Sequence, residues 1–418
     1  MRRTLFAVIG LAFFFAPVGL RAVGVTAHPF ENRPLATFPK ASQGWDAFDQ
    51  ATRFFVDRLP LREPAVHANT SISQHVFHTT PVYGRAAAGA LPFGSPGGAA
   101  KGATGKAGAP AATAGIPAKG QPGTTVLPGK DGWLFLEEEL GRACTVFIPW
   151  PAAIHRWERA AQIIRASGRR VAIVVAPDKS TMYPDKLPAK YAESACGPAG
   201  HAAAWRAIEG SRDPALLPLR RALLAVPHDP PDETYFAKDT HWNTKGGTLA
   251  VQRLLAGLDA GVAIRPDEIT RAHGPYTGDL TNLIGAPETD QSPVWTIARP
   301  GVAPAAASVE QLPAKTTARL LTRPAGGRPL LPGRTLFIDD SFGEAMQDAL
   351  GAYTTSLSIL PWYTAVPLPP EAMIEAIRRA DNVVLETVER DLSYKASEAG
   401  AITPAFLKRL RRELPAKR

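Results

Sequence analysis

The segment RTLFIDDSFGEAMQDAL, residues 334–350, decides the fold class. Its first half holds an apolar run, Thr335 to Ile338, that predicts a buried strand, and its second half has the apolar spacing of a helix. The same elements alternate elsewhere. A helix precedes the β-branched run Val171 to Ala176, and another precedes the run Asn382 to Glu386. Strands that alternate with helices predict a three-layer α/β fold around a mostly parallel sheet.

Polar residues follow each of these predicted strands. They are Asp178 and Lys179 after the first strand, Asp340 and Ser341 after the second, and Glu386 to Arg390 after the third. The carboxyl ends of parallel strands meet at one edge of the sheet, and ligands bind at that edge. We therefore expect the three polar clusters to converge on one functional site.

Ser341 has two interpretations. The spacing of Ser341 and Glu344 matches a capping box, in which the serine only caps the helix that follows. Alternatively, a serine on a sharp strand-to-helix turn projects its hydroxyl above the sheet, and its own backbone N–H can stabilise an oxyanion. Gly343 would keep such a turn slim. Because G-x-S-x-G is absent, the turn of an α/β-hydrolase is not indicated.

The segment YFAKDTHWNTKGG contains a candidate base for this serine. Asp239 and His241 are two residues apart, so on an extended segment they share one face. The carboxylate can then hold the imidazole and stabilise its charged form during proton transfer. The structural alternative is that Asp239 and Asn243 make turn and cap contacts, while His241 packs beside Trp242. Both interpretations place the segment just before a helix.

The composition limits the class of protein and the partners that it can have. The chain has 418 residues, and its hydrophobic fraction of 45% and charged fraction of 20% are those of a globular protein. A net charge of +9 favours anionic surfaces such as lipid headgroups, acidic polysaccharide or nucleic acid. The basic C-terminal stretch FLKRLRRELPAKR is either a solvated helix face or a contact for lipid or acidic glycan. Neither CxxC nor HExxH occurs, so neither a metal nor a cofactor is predicted.

The N-terminus predicts export. In MRRTLFAVIGLAFFFAPVGLRA, two arginines precede an apolar run that ends at Leu20, as in a signal peptide or a retained membrane anchor. The protein is therefore expected outside the cytoplasm, in the periplasm or at the cell surface. A later Ala/Gly/Pro-rich stretch has too little apolar mass to offset its ordering entropy and is predicted to be disordered. The expected divisions are residues 1–27 as signal or anchor, 28–84 as an N-terminal helical part, 85–123 as the insertion and 124–418 as the catalytic domain.

Cys144 and Cys196 are the only cysteines. In an exported protein a lone pair often forms a disulfide. On the chain-entropy model, closing a loop of this length stabilises the fold by about 4 kcal/mol. Two buried free thiols are the alternative.

The chain resembles the alginate O-acetyltransferase family of the AlgX/AlgJ type, whose catalytic domain is SGNH-hydrolase-like. The resemblance is carried by short stretches in family order. They are ENRPLATFP, FFVDRLPLRE, GKDGWLFL, APDKSTMYPDKLP, YFAKDTHWN, GDLTNLIG, IDDSF and LETVERDL. In that family the D-x-H precedes the serine. Carried over by position, the resemblance implies that Asp239 is the acid, His241 the base and Ser341 the nucleophile.

The resemblance also implies a reaction. It is transfer of an acetyl group, through an acyl-serine, to hydroxyls of an exopolysaccharide or cell-surface glycan, with a membrane-bound O-acyltransferase as the acetyl supplier and no nucleic-acid partner. Lys179, Arg390 and Trp242 are predicted to bind substrate. Two alternatives stay open: a carbohydrate esterase, in which water is the acceptor, and a non-catalytic glycan-binding or assembly protein that kept the fold.

Overall fold

The structure is a computed structural model that describes residues 126–417, except 260, 314–315, 325–329, 363–368 and 395–400, together with a few isolated residues before 126. Apart from those isolated positions, the predicted signal or anchor, N-terminal helical part and insertion lie outside the described residues. Within the described part of the chain, no helix is both long and apolar enough to cross a membrane. The chain divides into two compact units, Met1–Leu127 with Asp279–Glu288, and Pro128–Gly278 with Thr289–Arg418.

The described strands are β1 (Val126–Pro128), β2 (Leu134–Leu136), β3 (Arg170–Ala176), β4 (Leu216–Pro218), β5 (Ile269–Thr277), β6 (Thr289–Ile297), β7 (Ala306–Leu312), β8 (Thr316–Thr322), β9 (Leu331–Asp339), β10 (Thr354–Pro361) and β11 (Asn382–Val388). The described α-helices are α1 (Glu137–Cys144), α2 (Trp150–Ala166), α3 (Lys179–Met182), α4 (Gly197–Glu209), α5 (Arg220–Leu224), α6 (Thr244–Leu258), α7 (Asp279–Leu283), α8 (Glu344–Ala352), α9 (Pro370–Arg379) and α10 (Pro404–Glu413). Short 3-10 helices cover Lys130–Gly132, Pro184–Lys186, Pro266–Glu268 and Glu389–Asp391.

Seven strands of the second unit form one sheet in the order β4-β3-β11-β9-β10-β8-β7. Neighbours from β4 to β10 are parallel, whereas β8 runs antiparallel to both β10 and β7. A separate antiparallel pair is made by β5 and β6. The prediction of a mostly parallel sheet is confirmed, and β3, β9 and β11 contain the three predicted strands.

Helices cover both faces of this sheet. Val171, Ile173 and Val175 of β3 join a hydrophobic core with residues of α2, α4, α9 and α10. The alternate residues Ala172 and Val174 are also buried, and α6 contacts β3 without contributing to that core. Since successive side chains of a strand point to opposite faces, burial on both faces explains the continuous apolar run. The three-layer α/β prediction is confirmed.

The basic C-terminal stretch is the amphipathic helix α10. Its apolar side chains, Phe406, Leu407 and Leu410, are buried in the core, and Lys408 and Arg411 are exposed. The hydroxyl of its N-cap, Thr403, accepts a hydrogen bond from the backbone N–H of Phe406. The helix therefore completes one helical layer and leaves a basic face outward.

Cys144 ends α1 and Cys196 directly precedes α4. The two form a disulfide with their Cα atoms 5.2 Å apart and a sequence separation of 52. The bond joins two helices that also contact each other. The predicted disulfide is confirmed, and the alternative of two free thiols is wrong.

Candidate active site

Three side chains meet beyond the carboxyl end of β9. His241 Nδ1 lies 2.7 Å from Asp239 Oδ1, and His241 Nε2 lies 2.7 Å from the hydroxyl of Ser341. With the Nδ1 proton donated to Asp239, Nε2 is left to accept the proton of the serine hydroxyl. Ser341 is exposed, whereas the other two side chains are mostly buried. The predicted juxtaposition of nucleophile, base and orienting acid is present.

Ser341 does not cap the helix that follows it. The N-cap of α8 is Gly343, and it makes no side-chain cap hydrogen bond. The hydroxyl of Ser341 instead contacts His241. Within the described part of the chain, no protein group accepts a hydrogen bond from the backbone N–H of Ser341. The capping-box alternative is wrong, and this N–H remains available to an oxyanion.

The carboxylate of Asp340 holds the turn that presents Ser341. Its Oδ1 accepts from the backbone N–H of Phe342 at 2.7 Å, and its Oδ2 accepts from the backbone N–H of Val388 at 2.7 Å. The Asp340 carbonyl also accepts from the N–H of Gly343. One side chain therefore fixes the turn to its neighbouring strand, β11.

A buried acid lies directly beneath this turn. A Cβ added at Gly343 would lie 2.3 Å from the Cβ of Asp339, so only glycine allows the turn to come this close. Burial raises the pKa of Asp339 to about 8, although its Oδ2 accepts from Gln347 at 2.9 Å. Burial likewise raises the pKa of Glu386, whose Oε2 accepts from the backbone N–H of Asp340. The expectation that Gly343 slims the turn is confirmed.

His241 lies on a short antiparallel bridge. Tyr235 and Trp242 form an isolated β-bridge, and the N–H of Phe236 donates to the carbonyl of His241. Asp239 Oδ1 accepts from the backbone N–H of His241 at 2.9 Å as well as from its ring. Asp239 therefore makes the turn contact of the structural interpretation and the imidazole contact of the functional one.

Asn243 supplies the cap that the structural interpretation expected. Its Oδ1 accepts from the N–H of Lys245 and the N–H of Gly246, so α6 begins immediately after the base-bearing segment. Asn243 caps the helix, whereas Asp239 and His241 form the D-x-H. The two interpretations therefore apply to different residues within five positions.

Lys179, which the sequence analysis predicts to bind substrate, has a fully buried side chain. Its Nζ donates to the carbonyl of Asp239 at 2.5 Å and lies within 3.4 Å of the carbonyls of Phe236 and Ala237. The ammonium therefore fixes the backbone on which Asp239 and His241 lie. A burial of this kind depends on tertiary packing and leaves no local signal in the sequence.

Trp242 and Arg390, the other two residues predicted to bind substrate, are buried as well. The indole N–H of Trp242 donates to the carbonyl of Phe342 at 2.6 Å. Arg390 forms an ion pair with Asp178, and its guanidinium lies 5.3 Å from the ring centroid of Phe342. Both side chains contact Phe342, the residue next to Ser341.

Phe342 is a site residue that the sequence interpretation missed. Its ring centroid lies 4.9 Å from that of His241, 5.8 Å from that of Trp242 and 6.4 Å from that of Tyr235. The ring supports the imidazole from one side. In the sequence, the position of Phe342 next to Ser341 was the one signal that it belongs to the site.

The fold and this constellation define a class, the SGNH-type α/β domain with a serine, a histidine and an aspartate at the sheet edge. Residues 126–321 match the family model described as the SGNH hydrolase-like domain of the acetyltransferase AlgX. The match confirms the resemblance to the AlgX type over these residues and supports an acyl-handling enzyme. Asp239 and His241 lie inside the matched range, and Ser341 lies beyond it.

Several solved structures are similar in part. Bacillus cereus PatB1 is 15% identical, with a TM-score of 0.47 and coverage of 64% of this chain and 97% of that one. The O-acetyltransferase domain of Pseudomonas putida AlgJ is 20% identical, with a TM-score of 0.38 and coverage of 70% of this chain and 99% of that one. Pseudomonas aeruginosa AlgX is 13% identical, with a TM-score of 0.39 and coverage of 69% of this chain and 66% of that one. No curated protein matches the chain.

Proposed function

We propose that the protein is an extracytoplasmic, serine-dependent O-acetyltransferase that acts on an exopolysaccharide or cell-surface glycan. The observation that carries this proposal is the pair of 2.7 Å contacts from His241, one to Asp239 and one to the exposed Ser341. The match to an acetyltransferase domain supports the choice of acyl group and acceptor class.

In the first half-reaction, the Ser341 oxygen attacks the acetyl carbonyl while His241 Nε2 takes the hydroxyl proton. Asp239 stabilises the imidazolium through Nδ1. The carbonyl oxygen gains negative charge, and the N–H of Ser341 is placed to stabilise it. As the tetrahedral intermediate collapses, His241 returns the proton to the departing group, and acetyl-Ser341 remains.

In the second half-reaction, a sugar hydroxyl enters above acetyl-Ser341. His241 removes its proton, and the sugar oxygen attacks the acetyl carbonyl. The Ser341 oxygen leaves with the proton from His241, so the enzyme is regenerated. A membrane-bound O-acyltransferase is the proposed supplier of acetyl groups, which fits a site outside the cytoplasm where the acetyl must be delivered.

One experiment separates this proposal from its alternatives. The protein is given an activated acetyl ester with and without a panel of purified polysaccharides. Acetyl-Ser341 is followed by peptide mass spectrometry, and both glycan ester and free acetate are quantified. We expect acetyl-Ser341 to accumulate without glycan and to be discharged onto one of the glycans.

Ser341→Ala is the matched control. Acetate release at a rate that no glycan changes, with no glycan ester formed, would indicate an esterase. Equal labelling of the wild type and Ser341→Ala would indicate a protein without serine-dependent chemistry, and the proposal would be wrong.

A further inference from the structure

A groove runs between two helices that cover one face of the sheet. Helices α2 and α10 contact each other and pack on the same hydrophobic core. One cavity between them, of about 470 Å³, begins at Ala152 and Pro404, near the start of each helix, and a second, of about 260 Å³, continues toward their ends. Arg159, Ile163 and Arg411 line both cavities. The two cavities therefore form one continuous groove, named here the α2–α10 groove.

The α2–α10 groove is strongly basic. Among the described residues that line it, the charged or titratable side chains are Arg156, Arg159, Lys408, Arg411 and His155. Helix α2 has three arginines and one glutamate, and α10 has three arginines, one lysine and one glutamate. With histidine neutral, the two helices together hold +5 of the net charge of +9 of the whole chain. A concentration of one sign of charge in a concave surface attracts anions.

The cations of the groove have few counterions. Among the described residues, Arg156, Lys408 and Arg411 form no ion pair with a carboxylate. The two glutamates of these helices do not line the groove. Glu158 accepts a hydrogen bond from a serine hydroxyl beyond α4, and Glu413 is held by arginines of its own helix. Because like charges at close range repel each other, an anion bound in the groove would relieve this repulsion.

The packing of α10 decides how this surface can attract a partner. Its apolar side chains Phe406, Leu407 and Leu410 are buried in the core of the protein, and Ile163 of α2 joins the same core. An amphipathic helix that inserts into a bilayer needs its apolar face for the lipid. This face of α10 is already occupied, so the attraction of the groove is electrostatic and needs no insertion.

The hydrogen-bonding capacity of the lining distinguishes phosphate from sugar. Arginine and lysine side chains donate but cannot accept. The described lining contains no carboxylate, and the oxygen of its one amide, Gln162, accepts from Arg159 at 3.1 Å. Phosphate oxygens only accept, and the arginine fork matches their geometry. Sugar hydroxyls donate as well, so they would find few acceptors here, and the lining favours phosphate groups over a glycan.

We propose that the α2–α10 groove docks the protein on an anionic phospholipid surface, where Arg156, Arg159, Lys408 and Arg411 contact the lipid phosphates. A cluster of four or more basic side chains on amphipathic helices is typical of proteins that bind anionic lipid. The core holds both helices in place, so the four cations are presented together on a rigid surface.

The groove begins near the edge of the sheet that carries the candidate site. Ile148, two residues before α2, donates its backbone N–H to the carbonyl of Ser393 at 3.1 Å, beyond the carboxyl end of β11. Strand β11 pairs with β9, the strand that leads to Ser341. Docking through a helical face leaves this edge open to substrate. The lipid contact itself does not depend on the proposed acetyl transfer.

Vesicle sedimentation of the full chain tests the contact without an assay of activity. One set of vesicles contains phosphatidylglycerol mixed with phosphatidylcholine, and the other contains phosphatidylcholine alone. We expect stronger binding to the anionic vesicles, and this excess should be lost as salt is raised, because exposed charges are screened. The predicted signal or anchor is the same in every variant, so a comparison of variants assigns the excess to the groove.

Arg156→Gln with Lys408→Gln should weaken binding to the anionic vesicles roughly tenfold or more, because each basic side chain at such a surface raises affinity severalfold. Arg253→Gln with Lys190→Gln is the matched control. It removes the same two charges from exposed side chains that do not line the groove, one on α6 in the other helical layer and one outside any helix or strand. The thermal midpoints of both double variants should match that of the wild type.

Three results would overturn the proposal. They are equal binding of the wild type to the two kinds of vesicle, equal weakening by the two double variants, and groove-dependent binding of polygalacturonate or inorganic phosphate without binding to vesicles. The last result would assign the groove to a glycan or to free phosphate. Should Arg156→Gln with Lys408→Gln fail to fold, Arg411→Gln compared with Arg253→Gln decides the question.

Discussion

Around Ser341, buried groups fix the positions of the three side chains of the candidate site. Asp340 fixes the turn, the ring of Phe342 lies against the imidazole of His241, and Lys179 holds the carbonyl of Asp239. When the reacting groups are held in alignment to within a fraction of an ångström, the reaction of a bound substrate becomes as fast as an intramolecular reaction. The site is therefore built from buried polar contacts whose effect is on geometry.

Lys179→Met tests this distinction between positioning and binding. The variant keeps the apolar stem but removes the donor to three carbonyls, so the Asp239 segment loosens. We expect turnover of an activated acetyl ester to fall roughly 10- to 100-fold, with little change in KM. A raised KM at unchanged turnover would instead restore the assignment of Lys179 as a substrate-binding residue.

Asp339→Asn tests the buried acid beneath the turn. Because the folded pKa of about 8 exceeds the unfolded value of about 3.9, the native state holds a proton that the unfolded state releases between these pH values. Asp339 therefore lowers stability progressively as pH rises through that window, by up to about 1.4 kcal/mol per pH unit. Asn cannot ionise and can still accept from Gln347.

The measurement for Asp339 is urea unfolding of both proteins at pH 5 and pH 7. The stability of Asp339→Asn relative to the wild type should increase from pH 5 to pH 7. An equal difference at both pH values would show that Asp339 is ionised in the folded protein.

Sequence reasoning could find Asp239, His241 and Ser341 but not the buried residues that support them. Asp239 and His241 share a local spacing, and Ser341 follows a recognisable strand, so each leaves a signal within a few positions. The burial of Lys179, Trp242 and Arg390 depends on which segments pack over them. Charged residues at a strand end look the same in sequence whether they face solvent or the interior.

At the scale of elements, a glycine pair lets the helix after His241 pack closely against its neighbours. Gly246 and Gly247 lie in the first turn of α6, and α6 packs against α8. A Cβ at Gly247 would lie 2.3 Å from the carbonyl oxygen of Ala345, and one at Gly246 would lie 2.7 Å from that of Thr234. Gly247 therefore lets α6 approach α8, the helix that follows Ser341, and Gly246 lets it approach the segment at Thr234.

Gly247→Ala should therefore destabilise the fold by about 1–3 kcal/mol, because backbone must shift to admit the methyl group. Gly257→Ala on the same helix is the matched control. It is exposed, and its Cβ would meet Leu217 at an ordinary 3.4 Å, so the gain in helix propensity should leave stability unchanged or raised by up to about 1 kcal/mol. Chemical unfolding of the two variants measures this, and equal effects would contradict the close approach of the helices.

The central strands were predictable because burial on both faces imposes an unbroken apolar run. The antiparallel strands were not. In β7, Ala306 to Val309 are exposed, and β5 shows a similarly solvated pattern, so their hydrophobic periodicity is weak. Their pairing with β8 and β6 comes from tertiary context.

At the scale of the whole molecule, the disulfide Cys144–Cys196 joins the end of α1 to the start of α4. Cys144→Ser with Cys196→Ser should lower the free energy of unfolding by about 4 kcal/mol on the chain-entropy model. Thermal unfolding of the double variant beside oxidised and reduced wild type measures the effect. Identical midpoints for oxidised and reduced protein would contradict it.

The pairing of the cysteines followed from their number and the expected export. The buried ion pairs of His201 with Glu389 and of Arg390 with Asp178 could not be foreseen, because their members lie far apart in sequence. Only the folded sheet and its helices bring them together. Sequence patterns report neighbours along the chain, whereas these ion pairs are formed by the topology of the fold.

The central claim is that Asp239, His241 and Ser341 act as one catalytic unit. The most direct test is acetyl turnover of Ser341→Ala, His241→Ala and the double variant, with the thermal midpoint of each. Each single change should reduce turnover by about three orders of magnitude or more, and combining them should add little, because members of such a unit are not additive. Asp239→Asn should stay folded with turnover reduced by roughly 10³–10⁴-fold. A folded Ser341→Ala protein with near-normal turnover would contradict the account.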